Sequence, residues 1–250
     1  MFDCSGTSGD YDVKIVIFFL YKKISKKSMK YLDYERAFSA ARLNKYLTAC
    51  GGNSTKALIL YRHNVKLCQK FYGMLNVFEI TLRNAINEHY KTYFKDQDWI
   101  RTQLASGGML ALHPQKSIVD KNIADLIASG RYTNDRVVSS ASFGFWTYLF
   151  TKKPFWLGGQ SLLKVFPAKV SGLGQRAIYN ELMAIKNFRN RIAHHEPICF
   201  DTNGYKSIGP AQNNYNLIVR YVNFLGYSEN HLYFGLDVLP NSILERIDRL

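Results

Sequence analysis

Between Ile178 and Ile192 apolar side chains recur at intervals of three and four: Ile178, Leu182, Ile185, Phe188 and Ile192. With Arg189 set at 0° and about 100° per residue, they fall between about 260° and 20°, one stripe of an amphipathic helix predicted over 175–196. Pro197 stops it, because the residue before a proline is pushed out of the helical region. Arg189 falls inside the stripe, whereas Asn190 and His194, four apart, fall near about 100° and 140° at the edge of the polar face.

The same patterning predicts helices along most of the chain. One runs over 34–49 and ends at Gly51-Gly52, after which Asn53 or Ser54 can cap the next. That next segment is long, 55–94 even if broken near Gly73. With Arg83 as origin, Tyr72, Leu75, Leu82, Ile86 and Tyr90 form its apolar stripe, and Glu79 falls among them. Glu79 and Arg83 are thus an acidic-then-basic pair four apart on a face expected to be buried. The two readings of this pair are an internal salt bridge and a pair that faces Arg189 or its ligand. Shorter helices are predicted over 99–104 and over 115–129, the latter ended by Gly130. An aromatic helix is predicted to open in Ser139-Ser140-Ala141-Ser142-Phe143-Gly144-Phe145-Trp146 and to run to Phe150, and two more helices lie beyond it over 215–225 and 241–250. The fold class predicted is all-α, packed as an up-and-down bundle.

Residues 1–28 differ from the rest of the chain, with an acidic Gly- and Ser-containing start, a short apolar run and then Lys22-Lys23-Ile24-Ser25-Lys26-Lys27. They read as an extension that can be removed, with Met29 as the start of the folded unit, although Val13 to Tyr21 would also make a short strand. The helical domain is placed at 29–225, with 226–250 as a C-terminal helical extension.

One string has an echo. Leu82-Arg83-Asn84-Ala85-Ile86-Asn87-Glu88-His89 aligns with Phe188-Arg189-Asn190-Arg191-Ile192-Ala193-His194-His195, identical at Arg, Asn, Ile and the final His. The flanks show no repeat, so the strings read as similar helix faces that pack together and not as a duplicated domain.

Composition narrows the partner. A formal net charge of +14 points to a polyanion, either nucleic acid or an anionic surface. Apolar residues at 47% make the chain globular. Cys4, Cys50, Cys68 and Cys199 are widely spaced and read as reduced thiols of a cytoplasmic protein. The apolar run Ile15 to Tyr21 is far short of the roughly 20 residues that span a bilayer, so no membrane association is expected. No metal or other cofactor is expected either: His194, His195 and Glu196 are consecutive and point apart, and no carboxylate cluster suits a two-metal nuclease.

The chemistry therefore concentrates at Arg189, Asn190, His194 and His195, a fixed cation, an amide and two imidazoles at one helix end. The plain alternative is a helix that ends in a solvated His pair with Arg189 ion-paired for structure.

Phe188-Arg189-Asn190-Arg191-Ile192-Ala193-His194-His195-Glu196-Pro197-Ile198, with Ser142-Phe143-Gly144-Phe145-Trp146, Leu149-Phe150 and Glu79-Ile80-Thr81-Leu82-Arg83-Asn84-Ala85-Ile86 upstream, resembles the Abi-like (abortive infection) family. That family belongs to the HEPN superfamily, marked by Arg, a polar residue and a His four to six residues after the Arg. The match runs from about Tyr34 to Leu225; residues 1–28 and 226–250 have no counterpart in it. The resemblance implies a HEPN-like helical bundle with extra helices, an anti-phage toxin role and metal-independent cleavage of RNA. It further implies Arg189, Asn190 and His194 as the active-site set with His195 beside them, and a homodimer. Glu79, Arg83, Asn84 and Arg191 are the expected supporting or RNA-binding residues, and a neutralising antitoxin or RNA partner is compatible with a toxin of this kind, though nothing in the sequence reveals one.

The residues suit that chemistry. RNA can be cut without a metal when its 2′-hydroxyl attacks the adjacent phosphate, a nucleophile DNA lacks. An imidazole exchanges protons near neutral pH, and a guanidinium holds the phosphate. Some members of the wider superfamily only bind RNA, so a non-catalytic RNA-binding or regulatory protein is the second reading.

Overall fold

The computed structural model describes residues 29–250. The expected extension over residues 1–28 and the alternative strand over Val13 to Tyr21 lie outside the described residues. Within the described residues there are twelve α-helices, no named strand and one isolated bridge between Phe200 and Lys206. The fold class is all-α. The chain divides into two compact units, Met1–Tyr61 and Arg62–Leu250.

The described part of the first unit holds α1 (Tyr31–Phe38), α2 (Ala40–Ala49) and the start of α3 (Ser54–Phe94). A single helix was expected over 34–49. Ser39 divides it, with φ at +72° and a side chain that accepts from the Arg42 N–H at 3.3 Å as the cap of α2. Leu43, Tyr46 and Leu60 are buried, and Tyr46 meets Tyr61 edge-on at 5.3 Å. Asn53 caps α3, its Oδ1 accepting from the Lys56 N–H at 3.0 Å.

In the second unit α3 continues unbroken through Gly73. A Cβ at that position would come within 2.6 Å of Val238 Cγ1, so the glycine is clearance for the chain's C-terminal segment and not a helix breaker. The stripe actually buried is Phe71, Met74, Leu75, Phe78, Leu82, Ile86 and Tyr90. Its centre is rotated by about 40° from the predicted one, because Phe71, Met74 and Phe78 fill the core. Tyr72, expected inside, is 62% exposed, and Glu79 and Arg83 lie on the stripe's margin.

After α4 (Trp99–Leu104) and α5 (Lys116–Ala128), the predicted aromatic helix is two elements, α6 (Asn134–Ser140) and α7 (Phe143–Tyr148). Ala141 is extended between them, and Ser142 caps α7 by accepting from the Phe145 N–H at 3.3 Å. The aromatic residues are core. Phe78 meets Phe143 and Tyr221 at 6.1 and 6.5 Å, and Phe166 meets Tyr221 at 5.4 Å, all edge-on as ring quadrupoles favour. Then come α8 (Lys152–Leu157), a 3₁₀ turn (Leu162–Val165), α9 (Gln175–Ala193), α10 (Gly209–Phe224), α11 (Glu229–Leu232) and α12 (Asn241–Asp248). Residues 226–250 pack within this unit: Ile243, Leu244 and Ile247 are buried, and the Tyr233 hydroxyl donates to Met74 O at 3.2 Å.

The motif helix α9 buries all five predicted positions. Its C-terminal end closes with the Glu196 N–H bonded to Arg191 O at 2.8 Å and the His195 N–H to Ile192 O at 3.0 Å, which leaves His195 at φ +58°. The chain beyond Pro197 is held by Asn64, a buried polar residue of α3 whose Oδ1 accepts from the Ile198 N–H at 2.9 Å.

Candidate cationic cleft on the motif helix

Two contacts set α9 against α3 near its C-terminal end. Phe71 meets Phe188 edge-on at 4.8 Å, and Glu79 Oε2 lies 3.8 Å from Arg189 Nε. The Glu79–Arg83 pair matches neither reading as a unit: Glu79 alone faces Arg189. Arg83 turns elsewhere, donating to Ser139 O at 3.3 Å, while its Nε is buried with no hydrogen-bond partner among the described residues. Arg189 is not enclosed in the apolar stripe as predicted. Its side chain is 41% exposed, because the stripe's centre lies away from it and the guanidinium reaches the margin.

Arg189 and Asn190 open into a cleft of about 360 Å³, whose walls include α9, α7 and the segment before α5. Tyr179, Met183, Lys186 and Asn190 line it from α9 at about 80°, 120°, 60° and 100° in the frame with Arg189 at 0°. His194, at about 140°, continues this face by one further turn. It is exposed at the helix cap and is not among the lining residues. In one chain, therefore, the cleft holds Arg189 and Asn190, and His194 stands at its end.

Lys186 brings a second cation. A Cβ on Gly144 would lie 3.3 Å from Lys186 Cε and 3.7 Å from its Nζ, so the lysine stem lies over the first turn of α7 in space that Gly144 leaves open. Among the described residues no carboxylate is within 4.0 Å of Lys186. The opposite wall is polar and ordered. His113 Nδ1 accepts from the Gln115 N–H at 2.9 Å, which makes Nε2 the protonated nitrogen, donating to Phe145 O at 3.3 Å. Burial pushes the His113 pKa down, against the upward pull of the Phe145 carbonyl, so this imidazole is held neutral as a fixed wall. The Ser142 hydroxyl donates to Gln115 Oε1 at 2.9 Å.

Glu79 tempers the charge of Arg189. Burial raises the carboxyl's pKa, and the attraction of Arg189, then of Arg83, and the Phe143 backbone N–H oppose that rise without cancelling it.

The remaining predicted residues fall outside the cleft. Arg191 donates to Glu196 Oε2 at 3.2 Å and Pro197 O at 2.7 Å, closing the helix end. Asn84 is exposed on α3, and His195 occupies the left-handed position after the cap. His89, the imidazole of the echo string, sits 2.9 Å from Ser161 Oγ with its pKa lowered by burial and by Lys164, and does not line the cleft. Sequence reasoning missed Lys186 and Tyr179, which a continuation of the Asn190–His194 row toward the N-terminus would have found. His113 and Gln115 carried no such signal, since only the folded path of the segment before α5 brings them there.

Among the described residues no group of three His, Cys, Asp or Glu could hold a metal ion, and no helix is long and apolar enough to cross a membrane. The fold and the cleft define an all-α protein whose second unit presents a cation-lined cleft beside the C-terminal end of α9. Comparison with known proteins returned no matching family model, no matching curated protein and no matching solved structure.

Proposed function

We propose that this chain is a metal-independent endoribonuclease of HEPN type, acting in the cytoplasm as a toxin in anti-phage abortive infection. The observation that carries the reading is the row Lys186, Asn190 and His194 on one face of α9, with Arg189 beside it, two cations and an imidazole within about two turns. Arg189 and Lys186 hold a phosphodiester and stabilise the charge that develops on it. The RNA's 2′-oxygen forms a bond to phosphorus as its proton passes to a base, the bond to the 5′-oxygen breaks, and that oxygen takes a proton. The products are a 2′,3′-cyclic phosphate and a 5′-hydroxyl. His194 serves as one of the two proton-transfer groups and Asn190 orients it or the substrate.

One copy offers one such histidine at the end of one cleft. Two α9 helices facing across a twofold axis supply the second proton-transfer group, so the active species in this reading is an isologous homodimer. In this reading His195, exposed beyond the helix end, lies toward that interface, whereas Phe188 is buried against Phe71 within the chain, and the reading leaves room for a neutralising antitoxin or RNA partner.

One observation favours a second reading, a non-catalytic RNA-binding protein. His194 lies outside the cleft lining, and Arg189 is already matched to Glu79. Purified protein incubated with total RNA, with and without EDTA, separates the two. The expected result is fragmentation with cyclic phosphate ends in both conditions. Stable binding with intact RNA would establish the second reading, and cleavage lost with EDTA would remove the metal-independent mechanism.

A further inference from the structure

The cleft does not end at Tyr148. That tyrosine lines a second groove, of about 570 Å³, which runs past Lys116 and Leu112 to Lys153 and Leu157. Lys153 and Leu157 in turn line a shallow depression completed by Lys152 and Trp156. None of the residues lining the three depressions is Asp or Glu. Lys116 is paired with Asp120, but Lys152 and Lys153 have no carboxylate within 4.0 Å among the described residues.

The far end is unusual for a surface. Trp156 is 63% exposed and Leu112 is 66% exposed, on a unit that has buried Trp99 and Trp146 completely. A tryptophan left in water between two unpaired lysines offers a flat ring for stacking and two charges for phosphates. The tyrosine at the junction is fixed, its hydroxyl donating to Leu112 O at 3.2 Å, so its ring is a rigid wall at the turn from cleft to groove.

We infer that this track, from the Arg189 cleft past Tyr148 to Trp156, binds the single-stranded segment flanking the phosphodiester held in the cleft. Bases stack on Trp156, and Lys152 and Lys153 contact phosphates. The inference rests on the cleft being the phosphodiester site. It assigns the substrate class as single-stranded RNA, because a base must leave its duplex stack to lie on Trp156. An anionic membrane surface is the other partner that a Trp and Lys patch could fit. Continuity with the cleft, a path for a strand and not for a flat bilayer surface, favours RNA.

The test uses the full chain and a fluorescein-labelled 12-nucleotide 2′-O-methyl oligouridine, which lacks the nucleophile and so reports binding whether or not the protein cleaves. Fluorescence anisotropy should show weaker binding by Trp156→Ala, at least about fivefold, with Trp156→Phe close to wild type. Lys152→Ala with Lys153→Ala should flatten the slope of log affinity against log salt by about 1.4, two phosphate contacts at about 0.7 each. A duplex of the same length should bind more weakly than the single strand and be insensitive to Trp156→Ala. Trp156 and both lysines are exposed, and unchanged melting temperatures confirm that the variants fold.

Wild-type affinity in Trp156→Ala, or an equal loss for the duplex, would overturn the track. So would a loss of binding to phosphatidylserine–phosphatidylcholine vesicles with oligouridine binding intact, which would make the patch a membrane contact. If RNA is never cleaved yet the stacking and salt effects appear, the ribonuclease reading falls and the track stands. Cleavage with neither effect removes the track alone.

Discussion

The Glu79 carboxylate lies 3.8 Å from the Arg189 guanidinium, and its pKa is nevertheless raised, because loss of water on burial outweighs the attraction of Arg189 and Arg83. A carboxyl with a raised folded pKa binds more protons folded than unfolded. The stability it contributes is therefore complete below the ordinary value of 4.5 and is lost as pH rises through the raised one. Glu79→Gln should abolish that loss. In thermal melts from acid to neutral pH, the variant's melting temperature should rise relative to wild type above about pH 4.5 and then level off. A wild type that gains on the variant over this window would mean that the ion pair dominates. The sequence placed Glu79 with Arg83 on a buried face, where breaking such a pair typically costs about 3–5 kcal/mol, but the partner within reach of Glu79 is Arg189. With Arg189 41% exposed, the exposed-pair range of about 0.2–1 kcal/mol applies instead.

Arg189→Ala and His194→Ala should each lower RNA cleavage by about a hundredfold or more. His194 is exposed at the end of α9, so His194→Ala should leave the melting temperature within the shift of an ordinary surface change, about 0.5 kcal/mol. Initial rates on a defined RNA, with circular dichroism as the control for folding, check both. Full activity in either variant would end that residue's catalytic assignment.

His113 makes the wall of the cleft sensitive to acid. Its folded pKa is lowered by burial, so the unfolded chain binds more protons, and the stability is complete above the ordinary 6.5 and lost as pH falls through the lowered value. His63 and His89 are lowered too, in each case by burial first and by neighbouring lysine or arginine after it. Wild-type stability should therefore fall as pH drops below about 6.5. His113→Gln should start about 1–3 kcal/mol lower at neutral pH, from the buried partners it leaves unpaired, and then lose less on acidification. An unchanged acid slope would place the sensitivity in the other two imidazoles.

Light scattering at micromolar concentration should return the mass of two chains, as an isologous pair of α9 helices requires. A single-chain mass together with full cleavage would remove the dimer. It would also require a second proton-transfer group inside one chain, and His89, held against Ser161 outside the cleft, is poorly placed for that role.

The helices with strong apolar periodicity were legible. All five apolar positions assigned to α9 are buried, and α4 has the predicted bounds. What the pattern hid was decided by contacts between distant residues. Gly73 looked like a break until Val238 explained it, and Tyr72 fits a helical stripe that Phe71, Met74 and Phe78 pull round to their own side. The division between α6 and α7 rests on Ala141 and Ser142, and a serine before an aromatic run can be read either as helix interior or as cap. At the site, Arg189 and Asn190 were visible as a motif. Lys186 became meaningful only with Gly144 beneath it, and His113 only with Phe145 and Gln115 around it.

The end of α9 is one of several helix ends built the same way. After α2, α5 and α10 the left-handed residue is Gly51, Gly130 or Gly226, and after α3 it is Lys95; after α9 it is His195. Glycine relieves the crowding of a side chain at such a position, which costs roughly 1–2 kcal/mol for an ordinary L-residue. Saturation mutagenesis of position 195 should thus give two different rankings. Screened for resistance to heat, glycine and asparagine come out on top; screened for growth arrest on expression, any advantage of histidine over them measures what the imidazole itself contributes. A library in which the two rankings coincide would make residue 195 a matter of backbone geometry alone.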